Sequence, residues 1–216
     1  CLDGVAWFCE MSHDHVKRLE KPKHKHAVED VQWDPLSDKY LLVAYKDGSM
    51  CMFDVEAQMI MQSFDRQEKG IKSIAWNKAA PGEFFTASAA LKVWSVSKKS
   101  PTETLKVGNS GLKSAIYLHE QRSLLCSFEN GSVGIYNLVK RKLDFCTEPG
   151  HAETVFDISI SPYDKNVLAT ASYDGTVKIW NVKTMKNVET LSSDDLEMGV
   201  YKKIMPSKSV LYSLTW

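Results

Sequence analysis

The residues best suited to chemistry crowd near the start of the chain. His13, His15, His24 and His26 fall within 14 residues, and the spacing H-x-H occurs twice. On an extended strand that spacing puts two imidazoles on one face, where they could ligate zinc. A tetrahedral site needs further ligands at a fixed spacing, and no Cys or carboxylate completes the set. The segment E-K-P-K-H-K-H from Glu20 is also basic and loop-like, so it would repel a cation. It reads as a solvated loop with one capping histidine, and no metal ligands are assigned.

Three other polar residues invite a catalytic reading. Asp47, Asn130 and Asp174 each precede a glycine. Asx-Gly is turn chemistry, because both residues tolerate positive φ and the Asx side chain bonds the backbone ahead of it. They read as turn residues and not as acids or bases. The sequence has no G-x-S-x-G, no H-E-x-x-H and no phosphate-binding loop. No catalytic or cofactor-binding residues are assigned, and the chain is expected not to be an enzyme. The five cysteines, Cys1, Cys9, Cys51, Cys126 and Cys146, form no C-x-x-C pair. Cys51 and Cys126 lie in apolar runs, the pattern of buried, reduced thiols in a reducing, cytoplasmic or cytoskeletal compartment.

The bulk properties narrow the class. There are 27 Lys+Arg against 27 Asp+Glu among 216 residues. A balanced charge disfavours nucleic acid as a partner, since phosphate binding needs a basic excess. No apolar run approaches the roughly 20 residues of a membrane span, so no membrane insertion is expected. Six Trp, eight Phe and eight Tyr give ample surface to bury.

What must position the turn residues is a repeat. Alternating segments begin at Val28, Ile71, Leu112 and Val155, separated by 43, 41 and 43 residues. A second phrase follows in each unit: D-G-S-M-C-M-F-D from Asp47, L-K-V-W-S from Leu91, N-G-S-V-G-I-Y-N from Asn130 and D-G-T-V-K-I-W-N from Asp174. Its aromatic anchors, Phe53, Trp94, Tyr136 and Trp180, are 41, 42 and 44 residues apart. Two independent landmarks thus give one period of about 42. Between turn signals the segments are short and rich in Val, Ile, Phe, Tyr and Thr, which predicts four strands per unit. In the fourth unit these are 155–160, 167–172, 176–181 and 187–191.

The unit that starts at Gly150-His151 and runs through L-A-T-A-S-Y-D-G-T-V-K-I-W-N resembles a WD40 repeat, one blade of a β-propeller. The resemblance implies an all-β fold: a propeller segment with four complete four-stranded blades and partial blades at both ends. Residues 1–20 would end a preceding blade. Residues 21–64, 65–106, 107–148 and 149–193 would be blades, 194–209 an extended loop, and 210–216 the first strand of a following blade. Cys1 opens the chain and the alternation at Leu211–Trp216 stops in mid-phrase. The expectation is therefore an open arc whose remaining blades the rest of the same chain supplies.

The resemblance also implies a buried hydrogen-bond network in the fourth unit. Its members would be His151, a strand-two hydroxyl (Ser172, with Thr170 as the alternative), Asp174 and Trp180. Other units depart from it. His24 and Asp47 match, but Phe53 cannot donate as Trp does. The second unit lacks both His and Asp, its turn being two residues shorter, and the third has no Gly-His pair.

The largest break in the period lies between Val155 and Leu211, 56 residues apart. Within the extra segment, Met198, Val200, Tyr201, Ile204 and Met205 form an apolar side flanked by charges. Met198, Tyr201, Ile204 and Met205 are the candidate residues of a partner-docking loop, against the plainer reading of a loop packed on its own blade. The expected function is a non-catalytic scaffold that binds other proteins, in a cytoskeletal, ciliary or trafficking assembly. The alternative is a substrate receptor of a ubiquitin-ligase complex. Fold does not choose between them.

Overall fold

The computed structural model describes residues 8–11, 16–19, 24–147 and 150–192. Every regular element among them is a β-strand. The chain divides into two compact units, Cys1–Lys106 and Val107–Trp216.

The first unit opens with an antiparallel pair, β1 (Phe8–Met11) and β2 (Val16–Leu19). Two four-stranded antiparallel sheets follow. The first holds β3 (Val28–Trp33), β4 (Tyr40–Tyr45), β5 (Met50–Asp54) and β6 (Met59–Phe64). The second holds β7 (Ser73–Trp76), β8 (Glu83–Ala87), β9 (Leu91–Ser95) and β10 (Glu103–Leu105). The second unit has two more. One is β11 (Leu112–Leu118), β12 (Ser123–Phe128), β13 (Val133–Asn137) and β14 (Lys142–Cys146). The other is β15 (Val155–Ile160), β16 (Val167–Ser172), β17 (Thr176–Asn181) and β18 (Lys186–Ser192). Each four-stranded sheet is open, with its strands adjacent in chain order.

The repeat in sequence is a repeat in geometry. First strands carry a register irregularity at Val28/Asp30, Leu112/Ser114 and Val155/Asp157. The third-to-fourth ladders carry one at Met52/Phe53, Ile135/Tyr136 and Ile179/Trp180. Such bulges sharpen the right-handed twist at the same place in three of the four sheets; the β7–β10 sheet has a regular register. The last residue of the repeated phrase then builds the next turn. Asp54 accepts from Ala57 N at 2.8 Å, Asn137 from Lys140 N at 2.9 Å, and Asn181 from Thr184 N at 3.1 Å. In each case the residue that follows, Gln58, Arg141 or Met185, has positive φ.

Middle strands are apolar on both faces because both faces are covered. In β4, Leu42 and Ala44 face a cluster with Met52, Phe64, Ile74, Phe84 and Trp94 that joins the two sheets of the first unit. The alternate residues Leu41, Val43 and Tyr45 pack with Cys51 and Phe53 on the other face. In the second unit the corresponding cluster joins Leu125, Val133 and Ile135 to Val155, Ile158, Leu168 and Trp180.

Candidate functional site

The predicted network residues can be placed on their strands. His151 sits in the loop that leads into β15, Thr170 and Ser172 on β16, Asp174 in the β16–β17 turn and Trp180 on β17. Trp180 Nε1 donates to Thr170 Oγ1 at 2.8 Å, and His151 Nε2 lies 2.6 Å from the same oxygen. His151 Nδ1 lies 3.1 Å from Asp174 Oδ2. One neutral tautomer satisfies the chain: Trp180 N–H donates to Thr170, Thr170 O–H to His151 Nε2, and His151 Nδ1–H to Asp174.

The structure corrects one member of the expected network. Ser172 does not connect His151 to Trp180; Thr170 does. Both hydroxyls occupy one face of β16, two residues apart; Trp180 stands opposite Leu168, and its indole reaches diagonally to the nearer hydroxyl, Thr170. Ser172 is nearer the turn, and its hydroxyl goes to the carbonyls of Glu153 at 3.1 Å and Thr154 at 3.0 Å. It joins the network from behind, by accepting from Asp174 N at 3.2 Å.

Electrostatics follow from burial. His151 is 1% exposed. Burial lowers its pKa below the ordinary value, and the attraction of Asp174 only partly offsets this. For Asp174 burial acts upward, but hydrogen bonds from the Thr176 hydroxyl, Ala152 N and Thr176 N, with the His151 interaction, leave its pKa lowered. The turn itself repeats. Thr176 Oγ1 donates to Asp174 at 2.6 Å, Ser132 Oγ to Asn130 at 2.6 Å and Ser49 Oγ to Asp47 at 2.6 Å.

Sequence reasoning missed Gln67. Its Nε2 donates to Thr86 Oγ1 at 3.0 Å, and Trp94 Nε1 donates to the same oxygen at 3.0 Å. Gln67 therefore replaces the inner half of the histidine. The two-residue-shorter turn supplies no Asp, and the outer end of Gln67, its Oε1, is buried without a partner. The signal was present, because Gln67 stands four residues before Ile71 just as His151 stands four before Val155.

Gln67 and His151 also join consecutive sheets. Gln67 N donates to Gly48 O at 2.9 Å, and His151 N to Gly131 O at 3.1 Å. Each latch holds the Asx-Gly turn of one sheet by its backbone and the Thr–Trp pair of the next by its side chain. The approach is tight: a Cβ on Gly131, whose φ is 83°, would lie 2.3 Å from His151 O. Gly150 is required for another reason, since a Cβ there would lie 2.4 Å from the Trp180 ring.

The other sheets replace the network. In the first, Val43 and Phe53 take the Thr and Trp positions, both buried. His24 instead stacks on Tyr45 at 4.2 Å and reaches Ser49 Oγ at 3.3 Å, while His26 Nε2 stands 3.8 Å from Asp47. In the third, Cys126 and Tyr136 take those positions and Gly108 the latch position. His13, His15 and the loop residues Met198, Tyr201, Ile204 and Met205 lie outside the described residues. Among the described residues no three His, Cys, Asp or Glu gather into a possible metal site. No helix among them is long and apolar enough to cross a membrane.

Two neighbouring sheets of the first unit are joined by a further carboxylate. Asp30 accepts from Ile74 N at 2.6 Å and from Val31 N at 2.7 Å. Burial of the carboxyl against β7 pushes its pKa up to about 6, against the pull of these bonds and those from Gln32 and Ser73. At the end of the first sheet, Trp33, Asp34, Pro35, Leu36, Ser37 and Asp38 line a shallow cleft.

Comparison with known proteins agrees with this architecture. The four sheets have the fold of β-propeller blades, and WD40-type family models match two parts of the chain. The WD40 domain of anaphase-promoting complex subunit 4 matches residues 3–79, and the WD domain G-beta repeat matches residues 144–181. The ribosome biogenesis protein YTM1 of Eremothecium gossypii is 22% identical over 91% of this chain and 46% of its own length. Protein SPA1-RELATED 4 of Arabidopsis thaliana is 26% identical over 63% of this chain and 17% of its own. In the crystal structure of a mitotic checkpoint complex, one chain superposes with a TM-score of 0.69 at 20% identity. The match covers 82% of this chain and 55% of that one. The chain spans less than half the length of these two curated relatives.

Proposed function

We propose that this chain is part of a non-catalytic protein-interaction scaffold within a larger multidomain protein, whose own sequence supplies the remaining blades. WD40 propellers generally work by binding proteins, with rigid blades positioning variable turns. The observation that carries the reading is large apolar side chains left in water at turn tips: Leu36 at 68%, Val139 at 70% and Tyr163 at 94% exposure. Each stands on a sheet held internally, so the tip is free of structural duty. The buried thiols Cys51 and Cys126 support a reducing, cytoplasmic or cytoskeletal location. The match of residues 3–79 to a domain of a complex subunit supports membership of a large assembly.

Within the WD-repeat proteins we infer that the chain resembles WD repeat-containing protein 17. The reading rests on the phrase C-S-F-E-N-G-S-V-G-I-Y-N from Cys126 with K-L-D-F from Lys142, and on G-H-A-E-T-V-F-D from Gly150. The favoured setting is a cytoskeletal, ciliary or trafficking assembly, with Met198, Tyr201, Ile204 and Met205 as a docking loop. Affinity purification of the full-length protein with mass spectrometry tests this. Cytoskeletal or transport components, reduced by Tyr163→Ser or by deletion of residues 195–208, support it. Cullin-adaptor subunits would instead favour a ubiquitin-ligase substrate receptor. Recovery of no protein in stoichiometric amount would overturn the scaffold reading.

A further inference from the structure

The four outer strands differ in a way the repeat does not require. β14 reads K-L-D-F-C and β18 reads K-N-V-E-T-L-S, each with charges of both signs, while β10 is only three residues long. Charge and shortness are the usual means by which a sheet edge resists pairing with another chain. β6 has neither: it reads M-I-M-Q-S-F, six residues with no charge and no proline. Met59, Ile60 and Met61 are 53%, 49% and 50% exposed, three consecutive large apolar side chains on an edge strand. β6 pairs only with β5 in its sheet.

One end of this strand is acidic. Register pairs Asp54 with both Tyr40 and Met59, which brings the β3–β4 and β5–β6 turns to the same end of the sheet. Val55 N donating to Lys39 O at 2.9 Å ties them together. Asp34, Asp38, Asp54 and Glu56 lie there. The single Lys39, 3.4 Å from Asp54 and 3.1 Å from Glu56, leaves the end net negative.

We infer that β6 is a docking edge for an extended segment of a partner protein, which adds as a fifth strand and carries Lys or Arg at the end beside the acidic turns. Backbone pairing supplies affinity in such strand addition, and alternate apolar side chains with the basic end supply specificity. The inference rests on the scaffold reading and names one of its surfaces.

The test uses the full-length protein and a labelled ten-residue peptide of alternating Ile and Thr ending in three Lys, read by fluorescence anisotropy. Ile60→Lys gives β6 the charge that β14 and β18 already carry, and it should weaken binding by about tenfold or more. Asp38→Asn with Glu56→Gln should weaken it less and flatten its salt dependence. A peptide with Pro at its centre should not bind, because it cannot complete a ladder. Equal binding by the Pro peptide or to the Ile60→Lys protein would overturn the inference. So would no peptide binding, or concentration-dependent self-association abolished by Ile60→Lys, which would make a second copy the occupant. Partners that still co-purify with the Ile60→Lys protein would leave the scaffold reading standing without this edge.

Discussion

Replacing Thr170 by Val removes one oxygen and almost no volume, at a site with 0% exposure. Two buried groups then lose their partner: the Trp180 indole N–H at 2.8 Å and the His151 Nε2 at 2.6 Å. Each stranded group costs about 1–3 kcal/mol, and the gained methyl offsets about 1 kcal/mol. The expected loss is about 3 kcal/mol. For a chain of this size that lowers the melting temperature by about 6–12 °C. Thermal unfolding followed by tryptophan fluorescence and circular dichroism reads it directly. Ser172→Ala is the control. Its hydroxyl donates to carbonyls of the loop that enters β15 and makes no bond to Trp180, so its cost should be smaller. The first sheet supplies a second control, because Val43 and Phe53 occupy the same two positions there. Thr170→Val combined with Trp180→Phe should therefore cost less than the sum of the two single changes. The reasoning is refuted if Thr170→Val melts within about 3 °C of the parent, or if Ser172→Ala costs as much.

The latch makes further predictions. Gln67→Ala should destabilise the first unit by about 1–3 kcal/mol, since Thr86 loses the side-chain amide that donates to it while the backbone bond to Gly48 O is kept, and Glu68→Ala beside it should be neutral; urea unfolding compares them. Gly131→Ala should cost about 1–3 kcal/mol or more, from positive φ and the crowded His151 carbonyl, measured the same way. The depressed His151 pKa means the unfolded chain binds more protons below about pH 6.5. The stability advantage of the parent over His151→Gln should therefore shrink as pH falls from 7 to 5, and melting curves across that range check it. Asp174, also depressed, should add a second loss below about pH 4, and Asp30, with its raised value, should act oppositely between about pH 4 and 6. Brief alkylation followed by mass spectrometry should modify exposed Cys146 while sparing Cys51 and Cys126, whose thiols burial pushes up to about 11 and about 12.

The strands were legible because their signals are local. An Asx-Gly pair fixes a turn whatever surrounds it, and a run such as L-L-V-A-Y announces a strand covered on both faces. The network was harder to read. Thr170 and Ser172 share a face, so alternation could not separate them; what decides is the ladder register, which puts Trp180 opposite Leu168 and makes Thr170 its nearer diagonal neighbour. Gln67 was invisible to a search for histidine, because what the site requires is a polar nitrogen within reach of the threonine hydroxyl: the imidazole meets it as an acceptor and the amide as a donor. The exposure of β6 needed the structure as well: M-I-M-Q-S-F alone reads as core.

These cases share a physical cause. In this chain the constraint on a position comes from the sheet beside it as often as from its own. Gly131 is fixed by the loop that carries His151, Gly150 by the ring of Trp180 on β17, and Asp30 by the backbone of Ile74 on the neighbouring sheet. The inner three strands and the loops entering them carry these ties. Where the hydrogen-bond chain is kept, as at Gln67, the substitute brings a polar group to the same hydroxyl; where it is lost, as at Val43 and Phe53, both positions become apolar together. Outer strands carry none of the network residues, so β6, β10, β14 and β18 are free to differ in length and charge. A scaffold specialises where the fold makes no demand, and β6, uncharged on its edge and acidic at one end, is where these blades have diverged furthest toward accepting a strand from outside.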